Sequence, residues 1–261
     1  MNVKIVILIA ILIASCSKKE IVNEEQYMIN VIDSTSFEEE DIIEDTIVPL
    51  TVKNLTSLRI PYLKDIVQNS KTYSLHPELV AGIIKQESRF IYNRRSSANA
   101  IGLMQIVPDK AGHEVNKIFY KNNEPIADSL LYDPSFNIKV GCAYIYYLKK
   151  YYFSDIRNEI SKRYCVISAY NTGVGNVVKA LVKENDTKNI DGYEKLKSYE
   201  KFKIKMQIAT TKINSMSHSE VKEYLKNNLP YEETRDYLEK VTAYIDEWKD
   251  TINNVEQIAM N

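Results

Sequence analysis

Glycine, proline and cysteine are all scarce in this chain of 261 residues, which holds seven Gly, seven Pro and three Cys. So few turn-formers suit long helices better than a turn-rich β fold. Strand-like alternation of apolar and polar residues is nowhere sustained. The three histidines, His76, His113 and His218, stand far apart, and no His or Cys spacing suggests a metal site. Neither sign of charge dominates, and a net charge of −1 gives no reason to expect nucleic acid as a partner. The one marked apolar run, Ile5 to Ala14, is ten residues long. That is too short to cross a ~30 Å hydrocarbon core as a helix, so it reads as a secretion signal. What the chain has in quantity is tyrosine, nineteen in all. An apolar ring with a polar tip serves cores and sugar-stacking surfaces alike, so that count alone decides nothing.

Lys4 precedes the apolar run and Ile13-Ala14-Ser15-Cys16 ends it, followed by Ser17-Lys18-Lys19. A small residue before Cys at that place resembles a bacterial lipobox. The resemblance implies cleavage of residues 1–15 and acylation of Cys16, and acyl chains at ~0.8 kcal/mol per buried CH₂ would hold the protein on a membrane. Ser17 in place of Asp points to an outer membrane, with the protein facing the periplasm. Ten acidic side chains follow between Glu20 and Asp45, against Lys18 and Lys19 alone. Residues 16–54 are therefore expected to be an acidic, solvated tether. Of the other cysteines, Cys142 and Cys165 sit in apolar, helix-like surroundings. Export allows them to pair, and two buried unpaired thiols is the other reading.

From about residue 55 the pattern is helical. Leu58, Tyr62, Leu63, Ile66 and Val67 recur at three-to-four spacing as far as Asn69-Ser70. Pro77 is placed to open a second helix, with Leu79, Val80, Ile83 and Ile84 on its apolar face. Further helices are expected over about 137–152, 157–171, 195–215, 218–227 and 233–257. Residues 55–261 thus read as one mostly α domain.

Glu87 lies seven residues after Val80, four after Ile83 and three after Ile84, so it continues the apolar stripe at the C-terminal end of that helix. Desolvation and the negative end of the helix dipole would both raise its pKa. A carboxylic acid kept protonated is what cleavage of a glycosidic bond requires, because the leaving oxygen must take a proton. Taken alone, Glu87 could equally be turned out to solvent.

Its neighbours change the balance. Glu87-Ser88-Arg89-Phe90 is followed by Ala100-Ile101-Gly102-Leu103-Met104-Gln105, then Ala169-Tyr170-Asn171, then Glu233-Thr234-Arg235-Asp236-Tyr237. Each short motif is weak; four in this order over roughly 60–250 resemble the SLT-type lytic transglycosylases, soluble and membrane-bound. Asp133-Pro134-Ser135-Phe136-Asn137-Ile138 with Gly141 is similar to the same family's entry into its third helix. The resemblance implies a mostly α, lysozyme-like helical domain of the goose-type lysozyme and lytic transglycosylase kind. It implies that Glu87 acts as acid and then base, with Ser88 positioning the carboxyl and the sugar. Met104 and Gln105 would line the cleft, Tyr170 and Asn171 would contact sugar, and Glu233 and Tyr237 would close the opposite wall. The implied substrate is the peptidoglycan glycan strand, cut without water to give 1,6-anhydromuramoyl ends, with no cofactor. Cell-wall or secretion machinery is the class of protein that would recruit such an enzyme.

Bland readings stand beside these. Met104 could be core filler, Tyr170 a packed helix residue, and Glu233 with Arg235 a surface charge pair. The family usually has Gly where Asn99 stands, and Asn tolerates a left-handed turn better than most residues. The stretch 182–229 is long and rich in Lys, Glu and Asn, and reads as an extra helix pair. A hydrolase on the same fold would need a second carboxylate, for which Glu114, Asp128 and Asp133 are loop candidates. A lipoprotein that merely binds peptidoglycan would have no need of a buried acid.

Overall fold

A computed structural model describes residues 60–260, with the side chains of the last helix through Lys249 and at Ile252. The signal segment, Cys16, the acidic tether and Leu58 lie outside the described residues. The described chain is mostly helical, and its only β pairings are isolated bridges among Arg95, Ile101 and Ile106.

Two compact units divide the chain. The larger takes residues 60–181 and 209–260 and holds α1 (Leu63–Thr72), α2 (Pro77–Ser88), α3 (His113–Phe119), α4 (Asp128–Leu131) and α5 (Pro134–Tyr147). It continues with α6 (Glu159–Thr172) and α7 (Val174–Leu181). The smaller unit, 182–208, contains α8 (Glu184–Thr187), a 3₁₀ turn at Tyr193–Lys195 and the first turns of α9 (Ser198–Asn214). In it Tyr193 is buried, with Lys201 over its ring at 5.3 Å. The chain then returns to the larger unit for α10 (His218–Asn228) and α11 (Glu232–Met260). The stretch 182–229 thus carries two full helices, α9 and α10, besides the single turn of α8.

The centre of the larger unit is α2. Pro77 occupies the first helical position, where its missing N–H removes a donor that has no partner in a helix anyway. The sequence suggested one apolar face, but every residue from Pro77 to Ile84 is buried. The reason is tertiary: α1 covers one side of the helix and α11 another. α11 lies directly against Gly82, where a Cβ would stand 3.4 Å from the Val241 carbonyl. Val80, Ile83 and Ile84 are fully buried, each contributing about 1.5–3 kcal/mol, so packing rather than propensity holds this helix.

α5 begins three residues earlier than its periodicity indicated. Asp133 caps it, Oδ1 accepting from Phe136 N at 2.7 Å, and Pro134 takes the first position. Its last turn, Leu148–Tyr152, widens to π geometry. Cys142 on α5 and Cys165 on α6 are both buried and unpaired, so of the two readings open for them the structure has free thiols.

Candidate active site

The site begins where α2 ends. Arg89 terminates the helix in a left-handed conformation (φ 53°), its N–H donating to Lys85 O, and Phe90 follows at φ 64°. Two consecutive non-glycine residues in that region carry strain, and they reverse the chain directly after Glu87. Phe90 is seated on Trp248 of α11, with ring centroids 6.1 Å apart.

Glu87 is partly buried. Tyr237, on the first turns of α11, donates its hydroxyl to Glu87 Oε1 at 2.7 Å across 150 positions of sequence. The acid is pushed up to about 7, first by desolvation and also by the nearby Glu233 carboxylate. The Tyr237 hydrogen bond and the Arg94 charge pull the other way, and desolvation wins. Near neutral pH, Glu87 is therefore poised to give and to retake a proton. Tyr237 and Tyr170 are themselves held well above the usual phenol range by burial, so both hydroxyls stay protonated donors.

The loop 99–106 forms one wall. Ile101 and Ile106 exchange backbone hydrogen bonds at 2.9 and 3.0 Å, closing a tight turn. Gly102 (φ 81°) and Gln105 (φ 48°) take left-handed conformations inside it. A Cβ at Gly102 would lie 2.2 Å from the Asn137 amide, so only glycine fits there. Asn99 does adopt a left-handed conformation (φ 65°), in line with the tolerance that let it stand in for glycine.

Asn137 holds this turn, a role that the sequence did not disclose. Its side chain is fully buried on α5. Oδ1 accepts from Met104 N at 2.8 Å, while Nδ2 donates to Ile101 O at 3.0 Å and Leu131 O at 2.8 Å. The available signal was a lone amide preceding the apolar helical series Ile138, Gly141, Cys142. Thr234 is a second such residue: buried on α11, it donates to Asn171 Oδ1 at 2.7 Å and fixes that amide.

The expected site residues fall into two groups. Glu87, Tyr170, Gln105 and Asn171 are partly exposed, Glu233 is exposed, and Tyr237 is buried with its hydroxyl on Glu87. Gln105 Nε2 donates to Gly102 O at 2.9 Å, and Tyr170 donates to Met104 O at 2.8 Å while meeting Tyr144 edge-on at 5.6 Å. Ser88 and Met104 are buried instead. Ser88 Oγ donates back to Ile84 O at 3.2 Å within its own helix. Met104 packs on Gly141, where a Cβ would sit 2.1 Å from its sulfur. Arg235 does not pair with Glu233; it donates to Leu229 O at 2.9 Å and secures the turn ahead of α11. The three carboxylates expected on loops are placed otherwise, Glu114 in the first turn of α3, Asp128 at the start of α4 and only Asp133 outside a helix, and each has a partner of its own. Asp128 pairs with Arg95 at 2.8 Å, Asp133 caps α5, and Glu114 accepts from Tyr147 at 3.4 Å.

One raised carboxylic acid, met by a tyrosine from far along the chain, belongs to a mostly α domain of lysozyme-like fold. Two solved structures share that fold. The lytic transglycosylase Slt from Pseudomonas aeruginosa, an inactive mutant, aligns with a TM-score of 0.52 at 22% identity over 75% of this chain and 25% of its own. The 70 kDa soluble lytic transglycosylase from Escherichia coli aligns at 0.50 and 22% over 77% of this chain and 26% of its own. Residues 65–192 match the transglycosylase SLT domain, and the chain belongs to the SLT-type lytic transglycosylases. Membrane-bound lytic murein transglycosylase C from Haemophilus influenzae is 34% identical over 74% of this chain and 48% of its own length. The same-named protein of Histophilus somni is 33% identical over 76% and 49%. The chain thus spans about half the length of these curated relatives.

Proposed function

We propose that this chain is a peptidoglycan lytic transglycosylase that cleaves the β-1,4 bond between N-acetylmuramic acid and N-acetylglucosamine without water. The observation that carries this reading is the Glu87 carboxyl, raised to about 7 and held by the Tyr237 hydroxyl at 2.7 Å. Glu87 gives its proton to the bridging oxygen as the bond to muramoyl C1 breaks, and the muramoyl N-acetyl group stabilises the cationic centre. Glu87, now a carboxylate, accepts the proton of the muramoyl C6 hydroxyl, whose oxygen closes on C1. Acid is regenerated, one glycosidic bond is exchanged for another, and the product ends in 1,6-anhydromuramic acid. Because the attacking hydroxyl is already part of the sugar, proximity replaces a second catalytic carboxylate.

The supporting residues take roles suited to their placement. Tyr237 orients Glu87 and stabilises its ionised form between the two proton transfers. Tyr170 and Asn171, fixed by Met104 O and Thr234, offer contacts to the sugar, and Gln105 presents the opposite edge. Glu233 stands at the α11 wall. Ser88 and Met104 act from beneath, one closing the helix end that bears Glu87 and the other filling the space under the turn. The lipobox-like Cys16 would tether the enzyme to a membrane, the outer one facing the periplasm, which suits the words membrane-bound in the relatives' names.

The test is to incubate the purified chain with peptidoglycan and analyse released muropeptides by mass spectrometry beside Glu87→Gln. Anhydro-ended products that vanish in the variant are expected. Reducing-end products heavier by one water would overturn the reading in favour of a hydrolase.

A further inference from the structure

The loop that follows Glu87 carries a cation whose charge reaches the acid. The Arg94 side chain is exposed, yet its backbone is fixed at both ends of the peptide unit. Its carbonyl accepts from Gly102 N at 2.9 Å and from Gln105 Nε2 at 3.3 Å, and its N–H donates to Ile91 O at 3.3 Å. Asn137 clamps the same turn from below through Met104 N and Ile101 O. Arg94 is thus anchored to the Gly102–Gln105 wall with its side chain left in solvent.

The neighbouring cation is committed elsewhere. Arg95 pairs with Asp128 at 2.8 Å and donates to Asn99. Arg94 has no ion-pair partner among the described residues, yet its charge reaches Glu87 and favours the carboxylate, against the effect of burial. The other groups facing that acid are Tyr237 and Glu233 from α11 and Tyr170 from α6. Its charge favours the ionised acid, as the Tyr237 hydrogen bond does. The exposed guanidinium, with no carboxylate paired to it among the described residues, is also free to meet negative charge that a substrate brings to the same wall.

Resting on the transglycosylase reading of the site, we propose that Arg94 is a specificity-determining residue whose guanidinium binds a carboxylate on the muramoyl side chain beside the scissile bond. A forked guanidinium matches a carboxylate with two parallel hydrogen bonds. Polymers of N-acetylglucosamine alone present no such group. The carboxylate has two sources: the lactyl group once the stem peptide has been removed, and the stem peptide itself while it remains attached.

Binding is measured on the full chain carrying Glu87→Gln, which holds ligand without turning it over, with and without Arg94→Gln. The probes are a peptide-bearing muramoyl tetrasaccharide, the same tetrasaccharide stripped by an amidase, and an N-acetylglucosamine oligomer of equal length. Loss of Arg94 weakens a carboxylate ligand roughly five- to tenfold, as for one charge-assisted contact open to solvent, and leaves the neutral oligomer unchanged. Arg94→Lys recovers part of the loss. A loss confined to the stripped ligand assigns the lactyl carboxylate, and one confined to the peptide-bearing ligand assigns the stem. Unchanged binding of both, or an equal loss on the neutral oligomer, overturns the proposal. No turnover is involved, so the outcome is independent of whether anhydro products form.

Discussion

Replacing Glu87 by Gln should stabilise this protein, and only above the acid range. An ordinary glutamate titrates near 4.5, and in the folded chain Glu87 is pushed up to about 7. Below pH 4.5 the carboxyl is protonated in folded and unfolded chains alike and makes no difference. As pH climbs, the unfolded chain ionises first and gains stability that the folded chain forgoes. The stability present at low pH is therefore lost between about 4.5 and about 7 and stays lost above. At roughly 1.4 kcal/mol per pH unit over about 2.5 units, the loss reaches at most about 3.5 kcal/mol, less for the part of the carboxyl that solvent screens. Gln keeps an oxygen for the Tyr237 hydroxyl and never ionises, so Glu87→Gln escapes the loss. With about 2–4 °C of melting temperature per kcal/mol for a domain of this size, the variant should melt about 5 °C or more above wild type at pH 8. At pH 4 the two should coincide. Thermal melts followed by circular dichroism at both pH values decide it. A variant that melts no higher at pH 8, or one as far ahead at pH 4, would refute the argument that Glu87 is held protonated by desolvation.

Two further predictions concern the walls of the site. Tyr237→Phe removes the hydrogen bond that favours the ionised acid. The alkaline limb of kcat/KM should move to higher pH by about one unit, the scale of one hydrogen bond to a charged group, while the maximal rate falls. A pH–rate profile with an unmoved limb would count against it. Gly141→Ala places a Cβ 2.1 Å from the Met104 sulfur, an overpacking worth about 1–3 kcal/mol against a helix-propensity gain of about 1 kcal/mol. Its melting temperature should drop, and adding Met104→Ala should cost less in that background than in wild type.

The candidate acid could be singled out in sequence because helices repeat. Pro77 marks where α2 opens, and the spacing of Val80, Ile83, Ile84 and Glu87 sets the acid on an apolar stripe whatever the tertiary fold. The order of the four motifs carried the family for the same reason: local runs survive as local runs. Less was readable where a residue's surroundings come from far along the chain. Burial of α2 on every side follows from α1 and α11 packing on it, and no periodicity within twelve residues could show that. Ser88 and Met104 were expected at the cleft surface and are buried, because a motif records which residues occur together and not which way each side chain turns.

What the sequence by itself determined is therefore the helical class and the rough course of most of the helices, and it singled out Glu87 as the candidate acid. These depend on dihedral preference, capping and short-range spacing, interactions that close within a few turns. Only the tertiary structure decided that Tyr237 meets Glu87 across 150 positions, that Asn137 clamps the Met104 turn, and that Thr234 fixes Asn171. Hydrogen-bond geometry and desolvation are properties of groups brought together by packing. The proton affinity of Glu87, on which the proposed chemistry turns, is set by neighbours that adjoin it only in the folded chain.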